Sequence, residues 1–127
     1  MIDRKVAVVG IPGKWSTEIL ADELEARTGF RLVLDMAEVS ADLGARILLH
    51  KGEPFPDLDA IAVKKITQVY DPNTLDRLEL LRIAEAIGVK VFSPAHSMLR
   101  LIDRLACTVT LRNAGIPMPD TIVTESV

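Results

Sequence analysis

Gly10-Ile11-Pro12-Gly13-Lys14-Trp15-Ser16 places two glycines, a lysine and a hydroxyl ahead of a helix-forming run. Such a loop can cradle an oxyanion, because backbone N–H groups at a helix start point outwards and a lysine adds positive charge. The spacing excludes the two standard phosphate fingerprints. A P-loop needs four residues between its first glycine and a Gly-Lys pair, then Ser or Thr; here two residues intervene and Trp15 follows the lysine. Gly10 and Gly13 do not make G-x-G-x-x-G, and Asp35 alone does not supply a dinucleotide site. What remains is a loop shaping one side of a ligand crevice. Lys64-Lys65, closing a later apolar run, and Tyr70 offer the other side. Cationic heads converging there suit a carboxylate or a phosphate, although any one lysine at a strand end is also an ordinary solvated terminus. His50 and His96 lie far apart with no Cys or paired acid at ligand spacing, so no metal site is expected. Cys107, between Leu105 and Val109, reads as a small core residue, having no local histidine to activate it.

These residues need strands and helices to bring them together. Val6-Ala7-Val8-Val9 is a continuous apolar run, the pattern of a strand buried on both faces of a parallel sheet. Ser16 or Thr17 can cap a helix that turns Ile19, Leu20, Leu24 and Ala26 inward and ends at Gly29. Phe30 to Asp35 reads as a second strand, completing a right-handed β-α-β unit. Arg46 to Phe55, with Lys51-Gly52 in its middle, reads as a small hairpin or flap whose Pro54 and Pro56 hold an edge. Asp59 to Val63 is a central strand. Asp71-Pro72 opens a helix burying Leu75, Leu78, Leu81 and Ile87 and ending at Gly88. Val89 to Phe92 is a further strand, and Pro94 to Asn113 is helical, broken near Asp103 where a second N-cap fits. Thr121 to Thr124 is β-prone with nothing nearby in sequence to pair with.

The fold class is therefore α/β: an open, mostly parallel, Rossmann-like sheet flanked by helices, with a small hairpin insertion. In such sheets ligands sit beyond the carboxyl ends of the strands where the strand order reverses. The reversal is expected between the first strand and the Asp59 strand, which would bring Lys14, Lys64, Lys65 and Tyr70 to one opening.

A chain of 127 residues has room for one ordinary core, and 49% hydrophobic with 26% charged residues is a globular composition. The 18 acids and 15 bases are scattered, so no basic stripe offers counterion release to nucleic acid. The first apolar run stops at Gly10, too short for a signal sequence or a membrane span. A single cysteine leaves no intrachain disulfide. Those features lead to an expectation of a cytoplasmic protein with no nucleic-acid or membrane partner.

Ser97 to Leu111, carrying Asp103-Arg104, runs on to Gly115-Ile116-Pro117-Met118-Pro119-Asp120-Thr121. This stretch resembles the junction at the start of ATP-grasp enzymes of the RimK type, which read as an Asp-Lys pair, a helix, then Gly-Ile-Pro-x-Pro-x-Thr. Asp59-Ala60-Ile61 leading to a basic strand end, and Gly88-Val89-Lys90-Val91 before the helix, extend the resemblance over most of the chain. Val9 to Ser16 is also similar to the ATP-grasp member of a bacterial cassette called the GAK system. The resemblance implies a pre-ATP-grasp domain over residues 1–115, with 116–127 starting the strand into an ATP-grasp domain absent from this sequence.

The function it implies is ATP-dependent carboxylate–amine ligation, in which a carboxylate is activated as an acyl phosphate and attacked by an amine while Mg2+ holds the phosphates. Arg104 stands where the family has a lysine near the nucleotide phosphates. A guanidinium clamps phosphate in bidentate fashion but does not reproduce a lysine's point charge. Arg104 is therefore the nucleotide-binding candidate, and Lys14, Lys64, Lys65 and Tyr70 the substrate-binding candidates. No catalytic or metal-ligating residue is expected here, because in the family those parts follow the junction; the chain alone is expected to be inactive, with ATP, Mg2+ and the carboxylate and amine substrates engaged through the missing domains. The alternative is a free-standing small-anion-binding or regulatory α/β module, for which a homodimer is one form. A dinucleotide-binding oxidoreductase domain is a third reading, with the failed glycine fingerprint against it.

Overall fold

The computed structural model describes residues 1–126, so Val127, the last residue of the expected 116–127 segment, lies outside the described residues. The elements in order are β1 (Val6–Val9), α1 (Trp15–Thr28), β2 (Val33–Leu34), a 3₁₀ turn (Met36–Glu38), β3 (Val39–Asp42), β4 (Ile47–His50), β5 (Glu53–Pro54), β6 (Ala60–Val63), α2 (Asn73–Ala86), β7 (Lys90–Phe92), α3 (Ala95–Ile102) and α4 (Arg104–Asn113). Four strands make a wholly parallel sheet in the order β2-β1-β6-β7, and β3-β4-β5 make a separate antiparallel sheet. Among the described residues, no helix is long and apolar enough to cross a membrane.

The two central strands are the most apolar, as a sheet covered on both faces demands. Ala7, Val8, Val9 and Ile61 are wholly buried. Around Ala7, Val9 and Ile61 the core gathers Leu34 from β2, Leu81 and Ala84 from α2, Val91 from β7 and Leu48 from β4. Leu48 thus anchors the antiparallel sheet in the main core.

α1 starts earlier than its hydroxyls indicate. Lys14 occupies the N-cap without any side-chain cap, and Ser16 and Thr17 lie inside the first turn. Its inner face is Thr17 and Ala21, with Leu20 and Leu24 half-buried; Ile19 is 44% exposed and Ala26 is exposed. At 100° per residue Ile19 lies about 200° from Thr17, so the two cannot share a face. α2 likewise buries Thr74, Leu78, Leu81 and Ala84, leaving the expected Leu75 and, just past its end, Ile87 about half exposed. Its start does follow the Asp-Pro signal: the Asp71 carboxylate accepts the Asn73 N–H at 2.9 Å while the Thr74 hydroxyl accepts the Asp71 N–H at 3.3 Å.

The expected Phe30 to Asp35 strand pairs only at Val33 and Leu34. The hairpin gains a strand that the sequence did not announce, Val39–Asp42, pairing Val39 with His50 and Asp42 with Ile47. Lys51 and Gly52 both have positive φ, 53° and 81°, and close the β4–β5 turn in the backbone form that matches strand twist. The helix break falls at Asp103, whose carboxylate accepts the Ala106 N–H at 3.0 Å. Residues 116–126 form no helix or strand, so the β-prone Thr121 to Thr124 stays unpaired.

Candidate functional site

The order β2-β1-β6-β7 reverses between β1 and β6, and both strands deliver their carboxyl ends to the same edge. Two amides lock those ends together: Lys64 and Lys65 both donate to the Val9 carbonyl, at 2.8 and 3.2 Å. Past β1 the chain must turn sharply into α1, and Gly10 makes this possible. A Cβ on Gly10 would lie 2.5 Å from both Oγ1 and Cγ2 of Thr17, so β1 and α1 approach more closely than any larger residue permits.

The loop between them is braced. Gly13, at φ 80°, donates its N–H to Glu18 Oε1 at 3.0 Å. Arg31 holds the other carboxylate oxygen at 2.7 Å and reaches Asp22 at 3.0 Å. The Gly13 N–H, and then Arg31, hold the Glu18 carboxyl below the usual carboxylate range, while its acids hold the Arg31 guanidinium more firmly charged. Lys14, next to the braced glycine, lines the same pocket as Lys64 and Lys65.

The result is a pocket of about 300 Å3 walled by Ile11, Lys14, Ser16, Thr17, Lys64, Lys65 and Gln68. No carboxylate lines it, and among the described residues none of its three lysines forms a salt bridge. At the start of α1 the Trp15 and Ser16 N–H groups have no acceptor among the described residues, and of these two residues Ser16 lines the pocket. Lysines, a backbone amide without an acceptor and the positive end of a helix are the kind of donor set that an oxyanion needs. A neighbouring hollow of about 280 Å3 shares Ile11 and Gln68 with the wider edge and adds Asp35, Asp71 and Arg77. Arg77 is occupied there, donating to the Ile66 carbonyl at 2.8 Å.

Of the residues singled out from sequence, Lys14, Lys64 and Lys65 meet at this pocket. Tyr70 does not line it and stands 66% exposed, because the chain turns away after Gln68 towards the start of α2. Arg104 heads α4 in solvent and takes no part in the lysine pocket. His50 serves the fold, since its Nε2 accepts the Asp35 N–H at 3.2 Å and ties the antiparallel sheet to the end of β2. Cys107 is half-buried in α4, a helix with no buried residue, rather than in the core. Among the described residues no three His, Cys, Asp or Glu side chains come together as a metal site. Gln68 and the Glu18–Arg31 brace were not singled out from sequence, and Thr17 was read there only as a possible helix cap.

No protein-family model matches the chain. It is 25% identical over 122 residues to the tetrahydromethanopterin:alpha-L-glutamate ligase of Methanosarcina acetivorans, an alignment covering 91% of this chain and 38% of that protein. Its fold matches the ATP-grasp ligase PsnB complexed with minimal precursor, Mg and ADP, at a TM-score of 0.68 and 18% identity, over 95% of this chain and 48% of that one. PsnB with precursor peptide PsnA2 and AMPPNP matches at a TM-score of 0.66 and 18% identity, over 94% and 47%. The chain is similar to the amino-terminal region of ATP-grasp ligases. It spans 38% of the length of the curated relative and about half of the solved ligases. The parallel four-stranded sheet with its helices and small antiparallel sheet is the architecture of an ATP-grasp amino-terminal domain. Within that architecture the lysine pocket lies at the topological switch point.

Proposed function

We propose that this chain forms one wall of the substrate and nucleotide site of an ATP-dependent carboxylate–amine ligase of the RimK kind. The observation carrying this reading is the carboxylate-free pocket of Lys14, Lys64 and Lys65 at the β1–β6 reversal. Its donors suit the anionic end of a substrate or nucleotide. They do not suit Mg2+, for which the described residues gather no acidic or imidazole cluster. In this reading the magnesium is held elsewhere in the ligase. ATP, when bound with it, supplies the phosphoryl group that activates a carboxylate along an acyl-phosphate route. The chain's own residues bind and orient: Lys64 and Lys65 neutralise an oxyanion, the α1 amides fix its direction, and Arg104 contacts nucleotide phosphate from the start of α4. Residues 1–115 form the wall, and the segment from 116 onwards leads into the nucleotide-holding part.

The relative's name points to L-glutamate as the first substrate to try. The test is ADP release by the full product of the gene, supplied with ATP, Mg2+, L-glutamate and candidate partner substrates. Each ammonium–oxyanion pair near a wet surface is worth about 1 kcal/mol, so the double substitution Lys64→Gln/Lys65→Gln should raise KM for the anionic substrate about thirtyfold. Arg104→Ala should weaken ATP binding, and undiminished affinity removes Arg104 from the site. Anion binding by the chain without any ADP release from the gene product would favour the free-standing anion-binding or regulatory module instead. An unchanged KM in the double variant would sink the pocket as the substrate wall.

A further inference from the structure

Thr17 is 2% exposed, one of the most buried polar residues of the fold, yet its hydroxyl makes no hydrogen bond among the described residues. Among the described residues no fully enclosed side-chain oxygen or nitrogen lacks a partner, so Oγ1 still reaches an opening. The cavity Thr17 lines is the lysine pocket. Gly10 confines the side chain from behind, where a Cβ would lie 2.5 Å from Oγ1. A hydroxyl held between a strand end and a pocket, without a protein partner, is free to donate to whatever occupies the pocket.

We infer that Thr17 Oγ1 is a ligand-contacting donor, and that together with the Ser16 amide and Lys64 and Lys65 it holds a carboxylate or phosphate oxyanion. This rests on the reading of the pocket as an oxyanion site. A valine at this position fills nearly the same volume, keeps the β-branch against Gly10 and removes only the donor. Stability and binding should therefore move in opposite directions. Exchanging a hydroxyl that no protein group partners for a methyl at a 2% exposed position leaves the apo protein at least as stable, whereas losing a hydrogen bond to a charged ligand weakens binding at least tenfold.

The experiment titrates the purified, 15N-labelled chain with inorganic phosphate and, separately, with L-glutamate at low salt, following amide shifts, and records thermal midpoints without ligand. Thr17→Val should melt no lower than the parent and bind the preferred probe at least tenfold more weakly, while Thr17→Ser, which keeps the hydroxyl, stays within about threefold. The probe bound more tightly assigns the oxyanion as phosphoryl or carboxylate, and either assignment supports the inference. Wild-type affinity in Thr17→Val, with binding lost in Lys64→Gln/Lys65→Gln, overturns the role of Thr17 and leaves the pocket standing. Wild-type affinity in the lysine variant, or no binding of either probe to the parent, overturns both.

Discussion

Gly10→Ala tests the closest approach in the fold. The added methyl would sit 2.5 Å from Cγ2 and Oγ1 of Thr17 and 3.1 Å from its Cβ. Carbon atoms pack best about 3.5–4.0 Å apart, so the overlap with Cγ2 is about 1 Å or more, that with Oγ1 is only slightly smaller, and neither partner can swing away, Thr17 being 2% exposed. Gly10 does not have a positive φ, so the cost is steric and not backbone strain. Overpacking of this size costs about 2–3 kcal/mol. With Thr17→Ala the nearest atom left is Cβ, a contact relieved by a shift of a few tenths of an ångström, and the added methyl should then cost under about 1 kcal/mol. The double-mutant cycle therefore predicts a coupling of about 2 kcal/mol between the two positions. Urea unfolding reads it directly: with m near 2 kcal/mol/M, Gly10→Ala alone should lower the midpoint by about 1–1.5 M, and in the Thr17→Ala background by less than about 0.5 M. Additivity of the two single substitutions to within about 0.5 kcal/mol would refute the reasoning.

The loop brace makes an acid-side prediction. Since the Gly13 N–H and then Arg31 hold the folded Glu18 carboxyl below its ordinary value, that stability is present above the unfolded value near 4.5 and lost as pH falls through the folded one; Arg31→Ala should flatten this part of the acid-unfolding curve, and an unaltered curve would count against the brace. His50 behaves similarly at higher pH. Burial, with Lys51 next, pushes its imidazole below the ordinary value near 6.5, so the unfolded chain binds the extra proton and stability should decline as pH drops below about 6.5. His50→Gln should erase that step, and amide exchange at Asp35, whose N–H the ring accepts, should report it. Asp103→Ala removes the cap on Ala106 and should cost α4 about 1 kcal/mol locally; because α4 buries no residue, its amides should exchange by local opening with the global melting point nearly unmoved, and a global loss would contradict that picture.

Elements with strong local signals were legible from the chain. The continuous apolar runs at Val6–Val9 and Ala60–Val63 announce buried parallel strands, Asp71-Pro72 a helix start, and Asp103 a helix break. Val39–Asp42 was not legible, because Val-Ser-Ala-Asp has little strand propensity and becomes a strand by pairing with Ile47–His50. Ile19, Leu75 and Ile87 mislead for a related reason: hydrophobicity does not give the rotation of a helix about its axis, which packing against the sheet sets at Thr17–Ala21 and Thr74–Leu78.

At the site the division is similar. Sequence alone determined that lysines follow two buried strands, and topology rules then put them near a switch point, because parallel strands must deliver their carboxyl ends to one edge. Only the tertiary structure decided that Tyr70 turns away, that Glu18 and Arg31 pin the loop from a distance of 13 residues, and that Thr17 is buried in the first turn beside the pocket and is not the cap. Those outcomes depend on how closely β1 and α1 approach across Gly10 and on contacts between residues remote in sequence, neither of which local residue pattern encodes.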